Sequence, residues 1–435
     1  MALLSVQAAR ERILTQLHPI ATEILPLIQC ANRVLAQDIA AATDLPLFDN
    51  SSMDGFAVRS TDTVTAAADS TVTLSVVADI PAGSNPQLTL AQGQAARIMT
   101  GAPLPKGADA VIPVEDTDFN YREAGTPAPG TVTISRVVKR SENIRPRGMD
   151  THQGEIVIHA GRSLKPQDLG LLAMLGTAQV QVYKKARVAL LSSGDELLEV
   201  DAPLQSGKIR DSNSYTLAFL VEDSGAEVIR LGVAKDTRTS VEALLEKAAN
   251  SQADLILSSA GVSVGAFDFI KEVIESNGRL DFWRVNMRPG KPLAFGEYRG
   301  IPFFGLPGNP VSAFVGFEVF VRPALRKLNG LGSESRPKVR VRLAQEIESD
   351  GRESYLRAEV QQEESGLVAK LTGHQGSGNL LSLIQANALL IIPAGVKCVP
   401  LAGKQMPDYY EDTWINGFTV FQLQCQYWVC LPRSI

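Results

Sequence analysis

Apolar positions near the start of the chain recur at helical spacing. Val6, Ala9, Ile13, Leu14 and Leu17 fall near one face, and Ser5 is placed to cap it, so an amphipathic helix is expected over residues 5–17. A second helical stretch is expected over about 21–35. From Asp44 the texture changes. Pro46, Asp49, Asn50, Gly55, Pro81, Gly83, Pro103, Pro105 and Gly107 punctuate short runs, some of which alternate, as in Val72, Leu74 and Val76 or Val132 and Ile134. Residues 46–150 therefore read as a small β-rich domain. Helical spacing returns over 166–176 with Leu169, Leu171, Leu172 and Met174. Either residues 1–45 and 151–180 form one domain that the β-rich unit interrupts, or they are linkers.

From Arg187 onward the pattern alternates strand, loop and helix. Strands are expected at 187–192, 227–233, 254–258 and 301–306, and helices at 214–224, 239–251, 269–276 and 311–328. Such alternation gives a parallel sheet covered by helices, with ligands at the carboxyl ends of its strands. After a Gly/Ser/Pro linker at 330–337, short strands around Val339, Leu356 and Leu389 predict a second β-domain over 335–405. Residues 406–435 form an atypical tail crowded with Tyr409, Tyr410, Trp414, Phe418, Phe421, Tyr427 and Trp428.

The chain has 435 residues, 45% of them hydrophobic and 20% charged, enough to build several cores. A net charge of −5 argues against a broad nucleic-acid surface but leaves room for a local anion pocket. No apolar stretch approaches the roughly 20 residues that span a bilayer. Met1–Ser5 runs quickly into Arg10, Glu11 and Arg12 without a signal-peptide pattern, so a cytoplasmic protein is the default expectation. The four cysteines form no CxxC pair and the four histidines are scattered, which gives no zinc or redox signature.

The candidate chemistry lies in the loops after the strands. Gly194 permits a tight turn that sets Asp195 and Glu196 at a strand end, although Asp195 also suits a plain turn. Asp236 follows a strand and precedes a helix, and can be a helix cap or a ligand. In the loop 259–268, two glycines flank small residues, a geometry that turns backbone N–H groups toward a phosphate. Asp268 at its end either caps the helix or needs a cation between itself and that phosphate. Glu196, Asp236 and Asp268 together could make an oxygen-rich Mg²⁺ site. Arg284, Arg288 and Lys291 put three cations within eight residues around a Pro-Gly turn, suited to an anion or to a solvated strand. Residues 306–312 open another helix, with Pro310 at its first position and the Ser312 hydroxyl beside free N–H groups. The polar stretch Asp49–Val58 holds no nucleophile–base pair, so hydrolytic triad chemistry finds no support.

Eight strings in this order resemble one family: DNSSMDGFAV (49–58), MTGAPLP (99–105), SSGDEL (192–197), GKIRDSN (207–213), AGVSVGAFD (260–268), RPGKP (288–292), GLPGNPVSAF (305–314) and GSGNLLSLIQANAL (376–389). From about residue 5 to 405 the chain is similar to the molybdopterin molybdenumtransferases, the family that includes the bacterial enzymes and the gephyrin E domain. The resemblance implies a multi-domain α/β plus β fold. Its parts are a split linking domain (1–45 plus 151–180), an inserted β-rich domain (46–150), a doubly wound molybdopterin-binding domain with a parallel sheet (181–330) and a C-terminal β-barrel domain (335–405). It implies a homodimer that inserts molybdate into adenylylated molybdopterin with release of AMP and the help of Mg²⁺, and an upstream adenylyltransferase as a further partner. Carried over position by position, Glu196, Asp236 and Asp268 match the acidic, Mg²⁺-holding site, and Asp54 and Thr100 match catalytic positions brought by the partner subunit. Asp150, Ser193, Gly194, Gly261, Ser263, Gly265, Arg284, Pro289, Gly290, Pro307 and Asn309 match substrate-binding positions. Arg288, Lys291, Ser312, Arg357 and Ser377 match molybdate-binding positions.

The chain departs from the family pattern at Ala260, Ala266 and Met149, and has Arg284 and Arg288 where bacterial members often carry lysine. A planar guanidinium forks where an ammonium does not, so anion geometry is open to change there. The tail after 406 is no family feature and is expected to be dispensable, with truncation after Gly403 leaving activity intact. Two other functions are compatible with parts of the chain. One is the preceding adenylyltransferase, which needs only a fold like residues 181–328. The other is a non-catalytic molybdopterin-binding scaffold.

Overall fold

The computed structural model describes residues 3–120, 125–259, 267–332, 336–364, 366–400 and 418–422, and for residues 267, 268, 283 and 418–422 the backbone only. The chain forms two compact units. One comprises Met1–Ala36, Gly161–Lys165 and Gln179–Ile435, and the other Gln37–Ala160 and Pro166–Ala178.

The first unit is built on a six-stranded sheet in the order Glu227–Ala234, Arg187–Ser193, Leu255–Ser259, Ile301–Leu306, Pro292–Tyr298, Gly278–Arg284. The first four strands are parallel. In the strand Arg187–Ser193, Val188 and Leu190 enter the core under the helices Asn213–Asp223 and 310–328. Ala189 and Leu191 enter the core under Arg238–Asn250 and Phe267–Asn277. Burial on both faces is why this strand reads as an unbroken apolar run, and it makes the sheet doubly wound, as expected. The last two strands were not anticipated. They run antiparallel as a hairpin against Ile301–Leu306, so the sheet is mixed, and the RPGKP string is the connection between them.

Two expected helices differ. Ser5 does cap a helix at Val6–Gln16, accepting from the Ala8 amide at 3.1 Å. The helix expected over 21–35 is instead a strand, Thr22–Pro26, paired antiparallel with Gln179–Tyr183 and followed by a short 3-10 turn. Pro19 and Pro26 bracket that segment, and Pro26 has no N–H for a helical ladder. The helix expected over 311–328 is interrupted. Pro310–Gly316 and Arg322–Leu328 are α-helical, and Phe317–Val321 between them is a π-turn. Pro323 has no N–H to donate back one turn, and the wide turn lies just ahead of it.

The strands Lys338–Leu343, Gly366–Leu371, Glu353–Glu363, Ala388–Ile392 and Phe418–Gln422 close into a barrel around Val341, Leu356, Ala358, Leu390 and Ile392. Phe418–Gln422 pairs with Lys338–Val341 on one side and with Ala388–Ile391 on the other. The barrel therefore reaches past residue 405 and takes its closing strand from the tail, contrary to the expectation that the tail stands apart.

The second unit holds a five-stranded sheet in the order Ala110–Pro113, Gly55–Val58, Gln94–Ile98, Val72–Ile80, Thr131–Ile134. Gly55 has no substitute in its place, because an added Cβ would lie 2.0 Å from the Ile112 carbonyl oxygen. Among the described residues, no helix is long and apolar enough to cross a membrane.

Closure by Phe418–Gln422 gives a first prediction. A chain ending at Gly403 loses the hydrogen-bonded neighbour of two strands and should melt several degrees lower. Thermal unfolding of full-length and shortened proteins checks this, and equal midpoints would contradict it.

Candidate active site

A cleft of about 860 Å³ opens in the first unit where strand ends of the central sheet face loops of the barrel. Its walls follow from the sheet. The strand Arg187–Ser193 ends in Gly194, whose φ of +146° turns the chain so that Glu196 enters the cleft. The Glu196 carboxylate folds back over this glycine, 2.5 Å from where a Cβ would stand. On the neighbouring strand end, Asp236 and Asp195 bond reciprocally. The Asp195 amide donates to Asp236 Oδ2 and the Asp236 amide to Asp195 Oδ1, both at 3.3 Å. Asp236 is not the helix cap, because the Thr237 hydroxyl takes that role by accepting from the Ser240 amide. Asp236 Oδ1 is buried and finds no partner among the described residues.

Cations line the cleft as well. Arg288, Pro289, Gly290 and Lys291 line the cleft at the hairpin connection, and Pro307, Asn309 and Ser312 line it where the strand Ile301–Leu306 passes into the next helix. From the barrel come Arg352 and the loop Gln375–Gly378, so Ser377 joins the same cleft. The Val311 amide donates to the Ser377 carbonyl at 3.1 Å, tying helix and loop together.

Arg357 sits close to that barrel loop and is fully buried. Its Nε donates to Ser382 Oγ at 2.9 Å and its Nη2 to the Gly376 carbonyl at 3.0 Å, while Nη1 is buried with no partner among the described residues. No carboxylate forms an ion pair with it among the described residues. Burial, with the charge of Arg288 as a second cause, pulls its pKa down to about 10.

Glu196, Pro289, Gly290, Pro307, Asn309, Arg288, Lys291, Ser312 and Ser377 thus meet in one cleft. Ser193 is buried at the strand end behind Gly194. Arg284 is exposed and is not among the residues lining the cleft. Gly261, Ser263 and Gly265 lie outside the described residues, as does the side chain of Asp268. Asp54, Thr100 and Asp150 belong to the second unit. There the Thr100 amide and hydroxyl both donate to Asp54 Oδ1, at 2.8 and 2.7 Å, and Asp150 pairs with Arg145 at 2.9 Å.

Residues that sequence reasoning passed over also line the cleft. Asn213 Nδ2 donates to Ser259 Oγ and to the Gly308 carbonyl, both at 2.8 Å, and so pins two strand-end loops to each other. Arg210, Asp211 and Asn213 stand in the GKIRDSN string, which was a sufficient signal. Arg352 and Gln375 had none beyond lying near matched positions.

The cleft thus presents the cations Arg288 and Lys291 and the hydroxyls of Ser312 and Ser377 together with the Glu196 carboxylate. A family model described as the MoeA N-terminal region (domain I and II) matches residues 4–176. A model described as a probable molybdopterin binding domain matches 189–327, and one described as the MoeA C-terminal region (domain IV) matches 340–400. The molybdopterin molybdenumtransferase of Haemophilus influenzae is 41% identical over 400 residues, which cover 90% of this chain and 94% of that protein. The chain belongs to this family. Molybdopterin molybdenumtransferase 2 of Mycobacterium tuberculosis is 39% identical over 408 residues, covering 92% of this chain and 98% of that one. A crystal structure of the molybdopterin biosynthesis moeA protein from Pyrococcus horikoshii superposes with a TM-score of 0.79 at 31% identity, covering 97% of this chain and all of that one.

The Gly194 turn can be tested directly. Gly194→Ala places a methyl against Glu196 in a backbone region that side chains rarely adopt, and should destabilise the protein by about 1–3 kcal/mol. Urea unfolding measures this, and an unchanged midpoint would contradict the geometry.

Proposed function

We propose that this protein inserts molybdenum from molybdate into adenylylated molybdopterin and releases AMP, completing the molybdenum cofactor. The observation that carries the reading is the uncompensated Arg357 guanidinium near a cleft that already presents Arg288, Lys291, Ser312 and Ser377. Cations with hydroxyl donors suit a tetrahedral oxyanion. An adenylyltransferase would need only the central α/β region, whereas family resemblance here extends through both β-rich parts. That extent supports the transferase over the narrower activity.

In this reading Arg288, Lys291, Ser312 and Ser377 bind molybdate and orient it beside the dithiolene, and Arg357 adds its field from near the loop. Asn213 ties together the ends of two neighbouring strands beside the cleft. The phosphoanhydride lies toward Glu196 and Asp236. These two carboxylates would hold Mg²⁺, which takes one or two carboxylates plus substrate oxygens, and Asp236 Oδ1, with no partner among the described residues, supports that role. Asp268 is the third candidate. When bound, Mg²⁺ supplies charge neutralisation for the departing AMP phosphate. We further propose a cytoplasmic homodimer in which Asp54 and Thr100 of one subunit complete the cleft of the other, with Asp150 contributing to substrate binding. The bonded Asp54–Thr100 pair is consistent with that role.

The test is to mix the purified protein with adenylylated molybdopterin, Mg²⁺ and molybdate, and to follow AMP and pterin-bound molybdenum together. Molybdate-dependent AMP release is expected. Tight substrate binding without AMP release would overturn the reading. Asp236→Asn should cut AMP release by about 10²-fold or more. It should leave the melting temperature essentially unchanged, because Oδ1 has no described protein partner to lose. Full turnover in this variant would remove Asp236 from the metal site.

A further inference from the structure

Arg288 and Arg352 both line the cleft, and one carboxylate outside its lining holds them both. Asp350 Oδ2 accepts from Arg352 Nε at 3.0 Å and from Arg352 Nη2, and the Arg352 amide donates to Asp350 Oδ1 at 3.1 Å. The same Oδ2 lies 3.8 Å from Arg288 Nη1. Arg352 Nη1 donates in addition to the Met287 carbonyl at 3.2 Å, so this arginine is anchored at both ends. Arg288 has no comparable anchor in its ion pair, being 43% exposed and held at the longer distance. The hydrogen bonds from Arg352 keep the Asp350 carboxyl below its usual range, so it stays ionised at neutral pH.

The geometry points to Asp350 as an affinity-setting residue, a resident counter-anion that competes with the substrate oxyanion for Arg288. The inference rests on the oxyanion reading of this cleft. An entering dianion meets a wall whose positive charge is already partly neutralised, and it must draw Arg288 away from Asp350 while Arg352 remains in place. Molybdate is then bound loosely enough to be passed on to the dithiolene, and the site is not saturated by abundant oxyanions such as sulfate. Arg352 acts here as a positioning residue, since it orients the competing carboxylate.

The experiment is equilibrium dialysis of molybdate, and separately of sulfate, against the full chain. It needs no turnover, so a failure of the transferase reading in the AMP assay is seen independently. Asp350→Asn should tighten molybdate and sulfate by about three- to tenfold at low salt, and the gain should shrink as ionic strength rises. Asp350→Glu should restore wild-type affinity. Glu348→Gln removes an equal charge from the nearby short strand Ile347–Glu348, outside the cleft lining, and should change nothing. Unchanged or weakened oxyanion affinity in Asp350→Asn would overturn the inference. So would an equal gain from Glu348→Gln, which would reveal only the overall charge of the region.

Discussion

A guanidinium shut away from water without a carboxylate is expensive, and Arg357 is in that position. Its Ser382 and Gly376 partners satisfy two of its nitrogens with neutral dipoles, and the third nitrogen has no partner among the described residues. Removing a charge from water costs several kcal/mol when nothing opposite compensates it. A hydrophobic residue would fill a buried barrel position at less expense. Arg357 does not itself line the cleft, but it sits behind the loop Gln375–Gly378, and its charge adds to that of Arg288 and Lys291, which do line it. The oxyanion side of the proposed chemistry rests on Arg288 and Lys291 with this buried cation behind them.

The fold supplies what Arg357 alone cannot. Parallel strands deliver Glu196, Asp236, Ser259 and Pro307 to one end of the sheet, because their carboxyl ends all point the same way. The antiparallel hairpin that extends the sheet brings Arg288 and Lys291 to the same end from the other direction. The barrel then closes over them through the Val311–Ser377 backbone bond. Acidic and basic side chains thus line one cleft.

Much of this was legible in the sequence. The strand-end strings SSGDEL, RPGKP and GLPGNP are local, and each carries its turn chemistry in a few residues. Asp236 was ambiguous between cap and ligand, since both need an acid before a helix. The hydroxyl of Thr237 decides it, and that choice is visible only in the backbone geometry. Arg357 was placed by resemblance alone. In its own neighbourhood, Leu356, Ala358 and Val360 describe an ordinary strand, and the burial of the residue among them is set by a loop nearly twenty residues on. The strand Thr22–Pro26 was misread because its apolar residues fit a helical period and the prolines at 19 and 26 were given too little weight. The closing strand Phe418–Gln422 was missed for a different reason. Its partners lie about eighty and thirty residues away, and its aromatic surroundings masked a short β-run.

Molybdate binding to the wild-type protein and to Arg357→Met, read as the melting-temperature rise at saturating ligand, tests the central claim most directly. A ligand that binds only the folded state at about a hundred times its Kd stabilises it by about 2.7 kcal/mol. A clear rise is expected for the wild type and almost none for Arg357→Met, whose own melting temperature should stay close to wild type. An equal rise in both proteins would contradict the claim, because the anion would then be held without the buried cation.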